Sequence, residues 1–290
     1  MEAQIKQFVY DLWGSSDINR FPGPQPISME RRHFSYIKSH EYMVCPKTDG
    51  VRHILVCFND KNTQTKICAL VNRSFQYKIH SLTVHRNTLL DGELIGNTFV
   101  VHDAVFINGK DLRSLNLKER LAHIHALCSV IVPGPIKVVA KKMLPLCDIG
   151  RLDPSDKFTD GLILTPVNEP VRMGTHRTMF KWKEMSKNTV DFIVKSGWLC
   201  VQNDSQYLRI QKLDHEVEDG KILECVYRSN CSQLSNSSEL SNSSELSWVP
   251  IITRLDKSHP NNLRTFERTK VNIAENIKFD ELKDEFGKGH

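Results

Sequence analysis

Long apolar runs are missing from this chain of 290 residues, and so is a secretory leader. The longest apolar stretch is broken by Pro133-Gly134-Pro135, far short of the roughly 20 residues that a membrane helix needs. The start, Met1 to Phe8, has neither the basic residues nor the apolar core of a signal peptide. Both absences predict a soluble intracellular protein. Metal-ligand spacing is missing as well. Eight cysteines are scattered without a CxxC pair, which predicts neither a zinc site nor a disulfide framework. His33, His80, His85, His123, His125 and His215 stand at no ligand spacing either and read as ordinary histidines. A heavy charge of one sign is also lacking. The net charge of +5 suits a phosphate-rich partner without requiring one.

What the chain does have is a series of short strand signals with a few helices between them. Ile5, Phe8, Val9 and Leu12 form a helical stripe closed by Gly14. Phe21-Pro-Gly-Pro-Gln-Pro26 predicts a turn or an extended strap. His53–Phe58 and Lys66–Asn72 read as strands, as do Glu93–Ile95 and Phe99–Val101 on either side of Gly96-Asn97. Leu117, Leu121, Ile124, Cys128 and Ile131 mark an amphipathic helix. Strands recur at Val190–Lys195, Tyr207–Leu213, Lys221–Tyr227 and Trp248–Arg254, and four short strands of this kind suit a small barrel. The duplicated hexapeptide Ser-Asn-Ser-Ser-Glu-Leu, over 235–240 and 241–246, cannot bury a core and predicts a flexible surface loop. Leu263, Phe266, Ile273 and Ile277 predict a final helix.

Four Asp-Gly pairs punctuate the sequence. Asp-Gly between apolar runs ordinarily marks a tight turn, and Asp219-Gly220 is read that way. The other three carry neighbours that a turn does not require: Lys47-Thr-Asp-Gly-Val-Arg52, Asp91-Gly-Glu93 and Asp160-Gly-Leu-Ile163. A nucleophilic lysine must be an uncharged amine, and nearby cations favour that form. Cations also suit a phosphate chain, with carboxylates to bind a ribose hydroxyl and a divalent metal. Lysine, paired cations and separated carboxylates together describe covalent nucleotidyl transfer.

Six segments in order resemble the motifs of mRNA capping guanylyltransferases, members of the covalent nucleotidyltransferase superfamily that also contains ATP-dependent DNA ligases. Lys47–Arg52 resembles KxDGxR. Asp91–Glu93, Asp160–Ile163 and Lys181-Trp-Lys183 resemble the third, fourth and fifth motifs, and His102-Asp-Ala104 resembles motif IIIa. Arg254-Leu-Asp-Lys257 with Pro260-Asn261 resembles the sixth. Asn188-Thr-Val-Asp-Phe192 adds to the likeness, which covers nearly the whole chain.

The resemblance implies an α+β protein. An antiparallel-sheet nucleotidyltransferase domain is expected over 1–188, then an OB-fold β-barrel domain over 189–262 with a flexible Ser/Asn-rich insertion at 232–247, and a C-terminal helix over 263–290 that packs back on the body. It implies that Lys47 is the nucleophile, carrying GMP from GTP to the 5′-diphosphate end of RNA. Arg52 and Glu93 are expected at the ribose, Arg73 near phosphate, and His102 at the base in place of the usual aromatic residue, with Phe106 nearby. Lys141, or the adjacent Lys142, is expected to read guanine. Asp160 is expected to bind Mg²⁺ or Mn²⁺, Lys181 and Lys183 the α-phosphate, and Arg254, Asp256 and Lys257 the β- and γ-phosphates. A Cys-x5-Arg phosphatase loop and a methyltransferase's Gly-rich segment are both absent, so a separate RNA triphosphatase and cap methyltransferase are expected partners. The phosphorylated tail of RNA polymerase II is another. The expected location is the nucleus for a cellular eukaryotic enzyme, and the viral factory or cytoplasm for a viral one. Two other readings share some of these residues: an ATP-dependent polynucleotide ligase, and a non-enzymatic RNA- or protein-binding module on a transferase scaffold.

Overall fold

Apolar residues on both parities of the Ile54–Phe58 run call for a strand covered on both faces. In the computed structural model, which describes residues 1–18, 21–132, 134–154, 159–229, 246–255 and 257–287, that strand is Val51–Asn59. It lies within a seven-stranded sheet ordered Tyr77–Ile79, Lys66–Asn72, Val51–Asn59, Thr88–Ile95, Thr98–Ile107 and Lys110–Asp111, with Lys137–Ala140 added in parallel to Thr98–Ile107. One face packs Leu55, Leu70, Leu90, Phe99 and Val101 against the helix Leu117–Val130. The other packs Ile54, Val56, Val71, Leu89 and Val105 against the helix Glu2–Trp13.

The helix Leu117–Val130 starts at a capping box, with Asn116 accepting from the Glu119 amide at 3.0 Å and Glu119 accepting from the Asn116 amide at 3.0 Å. Its apolar face also buries Arg120, whose Nε donates to Asp103 at 2.7 Å. The helix Glu2–Trp13 ends at Gly14 in the left-handed region, as the sequence predicts.

A five-stranded sheet completes the first unit, in the order Pro24–Ser28, Gly174–Trp182, Thr159–Pro166, Tyr42–Thr48 and Leu144–Pro145. The proline-rich strap therefore ends in a strand, where the sequence suggested no regular structure. An edge position explains this, because one side of an edge strand has no ladder bonds for proline to lose.

By its internal contacts the chain separates into Met1–Ile27, His33–Trp182 and Leu282–His290 as one unit, and Ser28–Arg32 with Lys183–Glu281 as the other. The second unit holds a sheet ordered Gln206–Lys212, Trp198–Asn203, Thr189–Lys195, Ile222–Ser229 and Leu246–Thr253. Five strands stand where the sequence suggested four, and among the described residues they follow one open antiparallel path rather than a closed barrel. The additional strand, Trp198–Asn203, is announced by Ser196-Gly197, both at positive φ, a two-residue hairpin turn. One face of this sheet packs Phe192, Val194, Leu199, Val201 and Trp248 against Phe266.

Two further corrections concern the end of the chain. Most of the Ser/Asn-rich insertion lies outside the described residues, but its last two positions, Leu246 and Ser247, already belong to the strand Leu246–Thr253. The single C-terminal helix is two helices, Leu263–Glu275 and Phe279–Phe286. Asn276 takes φ 44° between them, a left-handed stop that asparagine tolerates better than most residues, so Ile277 falls in the link. No helix among the described residues is long and apolar enough to cross a membrane.

Candidate active site

The four Asp-Gly pairs take three kinds of placement. Asp219-Gly220 is a turn, with Gly220 at φ 87°. Asp49-Gly50 links Tyr42–Thr48 to Val51–Asn59, strands that belong to different sheets. It is therefore a crossing, and it leaves Lys47 at the end of one sheet and Arg52 at the start of the other. Asp91-Gly92 and Asp160-Gly161 lie inside strands.

The position of Asp160 follows from a β-bulge. Thr159 pairs with Thr48 and Leu162 with Pro46, so Asp160 and Gly161 together oppose Lys47 alone. A bulge of this kind re-aims a side chain, and Gly161 takes the φ of 120° that it requires. Lys47 Nζ consequently donates to Asp160 Oδ2 at 2.8 Å, with both side chains about a quarter exposed or less. Farther across the same sheet, Lys181 pairs with Ile163 and Ile163 with Cys45. Residues two apart along a strand share a face, so Lys181 lies on the Lys47 face while Trp182 is buried on the other. Lys183 follows this strand by one residue and falls in the second unit.

In the seven-stranded sheet Arg52 pairs directly with Glu93 and stands diagonal to Asp91. The guanidinium goes to Asp91, with Nε donating to Oδ1 at 2.9 Å and a second bond from Nη2 to Oδ2, while Nη1 donates to the Pro24 carbonyl at 2.7 Å. The Phe21 ring lies under both Arg52, at 4.7 Å, and Arg73, at 5.2 Å. Gly23 is needed here, since a Cβ would come within 2.8 Å of Arg52 and of Asp91. The proline-rich strap thus closes directly over the ion pair.

His102 reaches this cluster through a second bulge. Asp91 pairs with Asp103 and Gly92 with Val101, so His102 is the extra residue, and its Nε2 lies 3.4 Å from Asp91 Oδ1. Burial disfavours the Asp91 carboxylate, but Arg52 and His102 outweigh it and hold Asp91 well below the usual carboxylate range. Glu93 behaves oppositely. Burial raises it, despite the opposing pull of His102, Lys47, Lys141 and Arg52. Lys141 leaves the strand Lys137–Ala140 with its amide donating to Val101 O at 2.7 Å, and its ammonium donates to the Thr48 hydroxyl. Lys142 is exposed. The structure therefore brings Lys141, and not its neighbour, to the lysine strand.

In the second unit Arg254 Nη1 lies 3.3 Å from Asp191 Oδ1 and 3.1 Å from Glu224 Oε2, and Lys257 also pairs with Asp191. Asn261 straps the same point, its side chain accepting from the Asp191 amide at 2.9 Å and its amide donating to the Asp191 carbonyl at 2.7 Å. Asp256 lies outside the described residues. Among those residues no group of three or more histidines, cysteines or carboxylates forms a ready-made metal cage.

Residues 1–185 match the family model described as mRNA capping enzyme, catalytic domain. The chain belongs to that family. Its relatives include the mRNA-capping enzyme subunit alpha of Saccharomyces cerevisiae, 30% identical over 65% of this chain and 51% of the relative. That of Neurospora crassa is 28% identical over 70% and 60%, and the mRNA-capping enzyme of Danio rerio is 26% identical over 90% and 48%. The chain thus spans about half to three fifths of the length of these relatives. The solved ATP-dependent DNA ligase of bacteriophage T7, in complex with ATP, aligns at TM-score 0.39 and 13% identity over 80% of this chain and 81% of the ligase, a likeness too loose to decide between functions.

Within this capping-enzyme domain the structure gathers Lys47, Asp160, Arg52, Glu93, His102 and Lys141 around one crossing between sheets, with Arg73 above Phe21 and Lys181 on the Lys47 face. Asp91 went unassigned in the sequence because Glu93 filled the role expected of Asp-Gly-Glu. Strand parity held the missing signal, since Asp91 and Glu93 are two apart and share the Arg52 face. Asp191 and Glu224 were missed as partners of Arg254. Asp191, in Asn188-Thr-Val-Asp-Phe192, was visible in the sequence; Glu224 became visible only through its register opposite Asp191.

Proposed function

We propose that this chain is an mRNA guanylyltransferase. The observation that carries the reading is the Lys47–Asp160 contact of 2.8 Å, set opposite a bulge beside a carboxylate, Glu93, on which Lys47, Lys141, Arg52 and His102 act. In this reading the Lys47 amine attacks the α-phosphorus of GTP. An N–P bond forms, pyrophosphate leaves, and the amine's surplus protons pass to Asp160 and solvent. A terminal oxygen of a 5′-diphosphate RNA end then attacks the same phosphorus and breaks the N–P bond. The products are GpppN and free Lys47.

Glu93 and Arg52 are assigned to the ribose, with Asp91 holding the guanidinium in place. His102 is assigned to the base face, Lys141 to the base edge, and Arg73, Lys181 and Lys183 to phosphate. A divalent cation, Mg²⁺ or Mn²⁺, fits the donor set, because Mg²⁺ commonly takes one or two carboxylates and completes its shell with substrate phosphates and water. Asp160 would hold it, and it would neutralise charge on the phosphates. Arg254 and Lys257, with Asp256, are assigned to the β- and γ-phosphates. Asp191 and Glu224 then act as stand-ins for phosphate oxygens, which Arg254 and Lys257 leave when nucleotide binds.

The proposal extends to organisation and setting. The second unit's sheet, Gln206–Lys212 to Leu246–Thr253, and its helix Leu263–Glu275 are assigned to an OB-fold. The partners are a 5′-diphosphate RNA, a separate RNA triphosphatase and cap methyltransferase, and the phosphorylated polymerase tail. The location is the nucleus for a cellular enzyme and the viral factory or cytoplasm for a viral one. The test is incubation with Mg²⁺ and α-³²P-labelled GTP, with labelled ATP in parallel, followed by denaturing electrophoresis. Acid-labile label from GTP alone is expected. Label from ATP alone would make the chain a ligase, and no label from either would remove the transferase reading.

A further inference from the structure

The sheet of the second unit buries its Trp248 face on Phe266, and the side chains of the opposite face form a pattern that the transfer chemistry does not use. Lys195 pairs with Trp198, Trp198 with Lys212, Cys200 with Arg209, and Gln202 with Tyr207, so these side chains share the face opposite the core. The register shifts between Leu199 and Cys200. Ile210 is the extra residue, and the shift puts Lys212 on the same side as Arg209 and Tyr207 while Gln211 turns away to donate to the Trp248 carbonyl at 2.9 Å.

Each aromatic ring on this face lies beside a cation. Arg209 stands 5.6 Å from the Trp198 ring centroid and Lys195 stands 5.5 Å from that of Tyr207. Tyr207 is 43% exposed, and Arg209 and Lys212 are exposed as well. Three cations and two aromatic rings on one sheet face match what a single-stranded nucleic acid needs: phosphate neutralisation, and flat surfaces on which successive bases stack without regard to sequence. The face is also continuous with the Arg254 cluster, because Asp191 and Lys195 occupy the same side of one strand and Asp191 pairs with Glu224.

We infer that single-stranded RNA downstream of the 5′ end runs across this face, with bases on Tyr207 and Trp198 and phosphates on Lys195, Arg209 and Lys212. The inference rests on the guanylyltransferase reading for the identity of the polymer. Its geometry depends only on the sheet.

The test reads binding without turnover, so failure to form a GMP adduct and failure of this surface are separate results. A fluorescein-labelled 5′-diphosphate RNA 20-mer is titrated with the full chain by anisotropy at several salt concentrations. The variant Tyr207→Ala/Arg209→Ala/Lys212→Ala changes exposed edge-strand positions, and its folding is checked by thermal melting. Its affinity is expected to fall about tenfold or more, with the slope of log K against log salt shallower by about 1.4 for the two cations removed. The conservative variant Tyr207→Phe, which keeps the ring face, should retain affinity within about twofold, which a merely damaged fold would not allow. Unchanged RNA affinity and slope in a folded triple variant would overturn the inference. So would a phosphoserine peptide that binds the wild type and not the variant while RNA binds both alike, since the face would then belong to a protein partner.

Discussion

In the first unit Arg52 lies against Asp91 with the side chains 10% and 2% exposed, beneath a strap that contributes a carbonyl and an aromatic ring. In the second, Arg254 and Lys257 lie against Asp191 and Glu224 with the cations 22% and 36% exposed. Both clusters pair cations drawn from guanylyltransferase-like motifs with carboxylates that those motifs do not assign. The buried pair is bidentate and enclosed, which suits an arginine that must keep one position. The open pair can exchange its carboxylates for phosphate oxygens at small cost, because water already competes for its cations. Lys47 and Asp160, at 24% and 21% exposure, lie nearer the open kind, as the nucleophile proposed above would require in order to release its partner.

The sharpest way to break this comparison is through Lys47. Lys47→Ala should lower covalent GMP labelling by at least about a thousandfold with the melting temperature nearly unchanged. Asp91→Ala should have the largest effect on stability, about 3–5 kcal/mol by chemical denaturation, because it strands Arg52 in a buried setting. Arg254→Ala should reduce GMP labelling about a hundredfold. Its partner change Glu224→Gln should cost no more than about 1 kcal/mol of stability, since that pair is partly in water. A Glu224→Gln loss as large as that of Asp91→Ala would erase the distinction between the two clusters.

The smallest effect is a pH dependence of opposite sign at two carboxylates on one strand. Glu93 is raised by burial, so its contribution to stability is present below its unfolded pKa and is lost as pH rises through the folded value. Asp91 is depressed, so its contribution is present above its unfolded pKa and is lost as pH falls toward the folded value. Glu93→Gln should therefore raise the melting temperature at pH 7 and not at pH 4. Wild type should lose the Asp91 contribution only on acidification below about pH 4.

Much of this site was legible in the sequence because motif order survives folding. The Lys47, Glu93, Asp160 and Lys181 segments were identified, and three of the four Asp-Gly pairs were set apart from simple turns by their neighbours. What could not be read depended on register. A bulge opposite Lys47 decides where Asp160 points, and another makes His102 a neighbour of Asp91; neither leaves a local signature beyond a glycine or an unusual histidine. The choice between Lys141 and Lys142 likewise needed the parallel pairing of Lys137–Ala140 with Thr98–Ile107. The strand Trp198–Asn203 is a different kind of miss. Its signal, Ser196-Gly197 followed by the apolar run Trp198–Val201, is local and lies in the sequence itself.

The most direct test of the central claim is peptide mapping by mass spectrometry after incubation with GTP and Mg²⁺, under alkaline conditions that preserve a phosphoramidate. The account predicts one GMP adduct, on the peptide containing Lys47. An adduct on Lys141, Lys181 or Lys183 instead would contradict it.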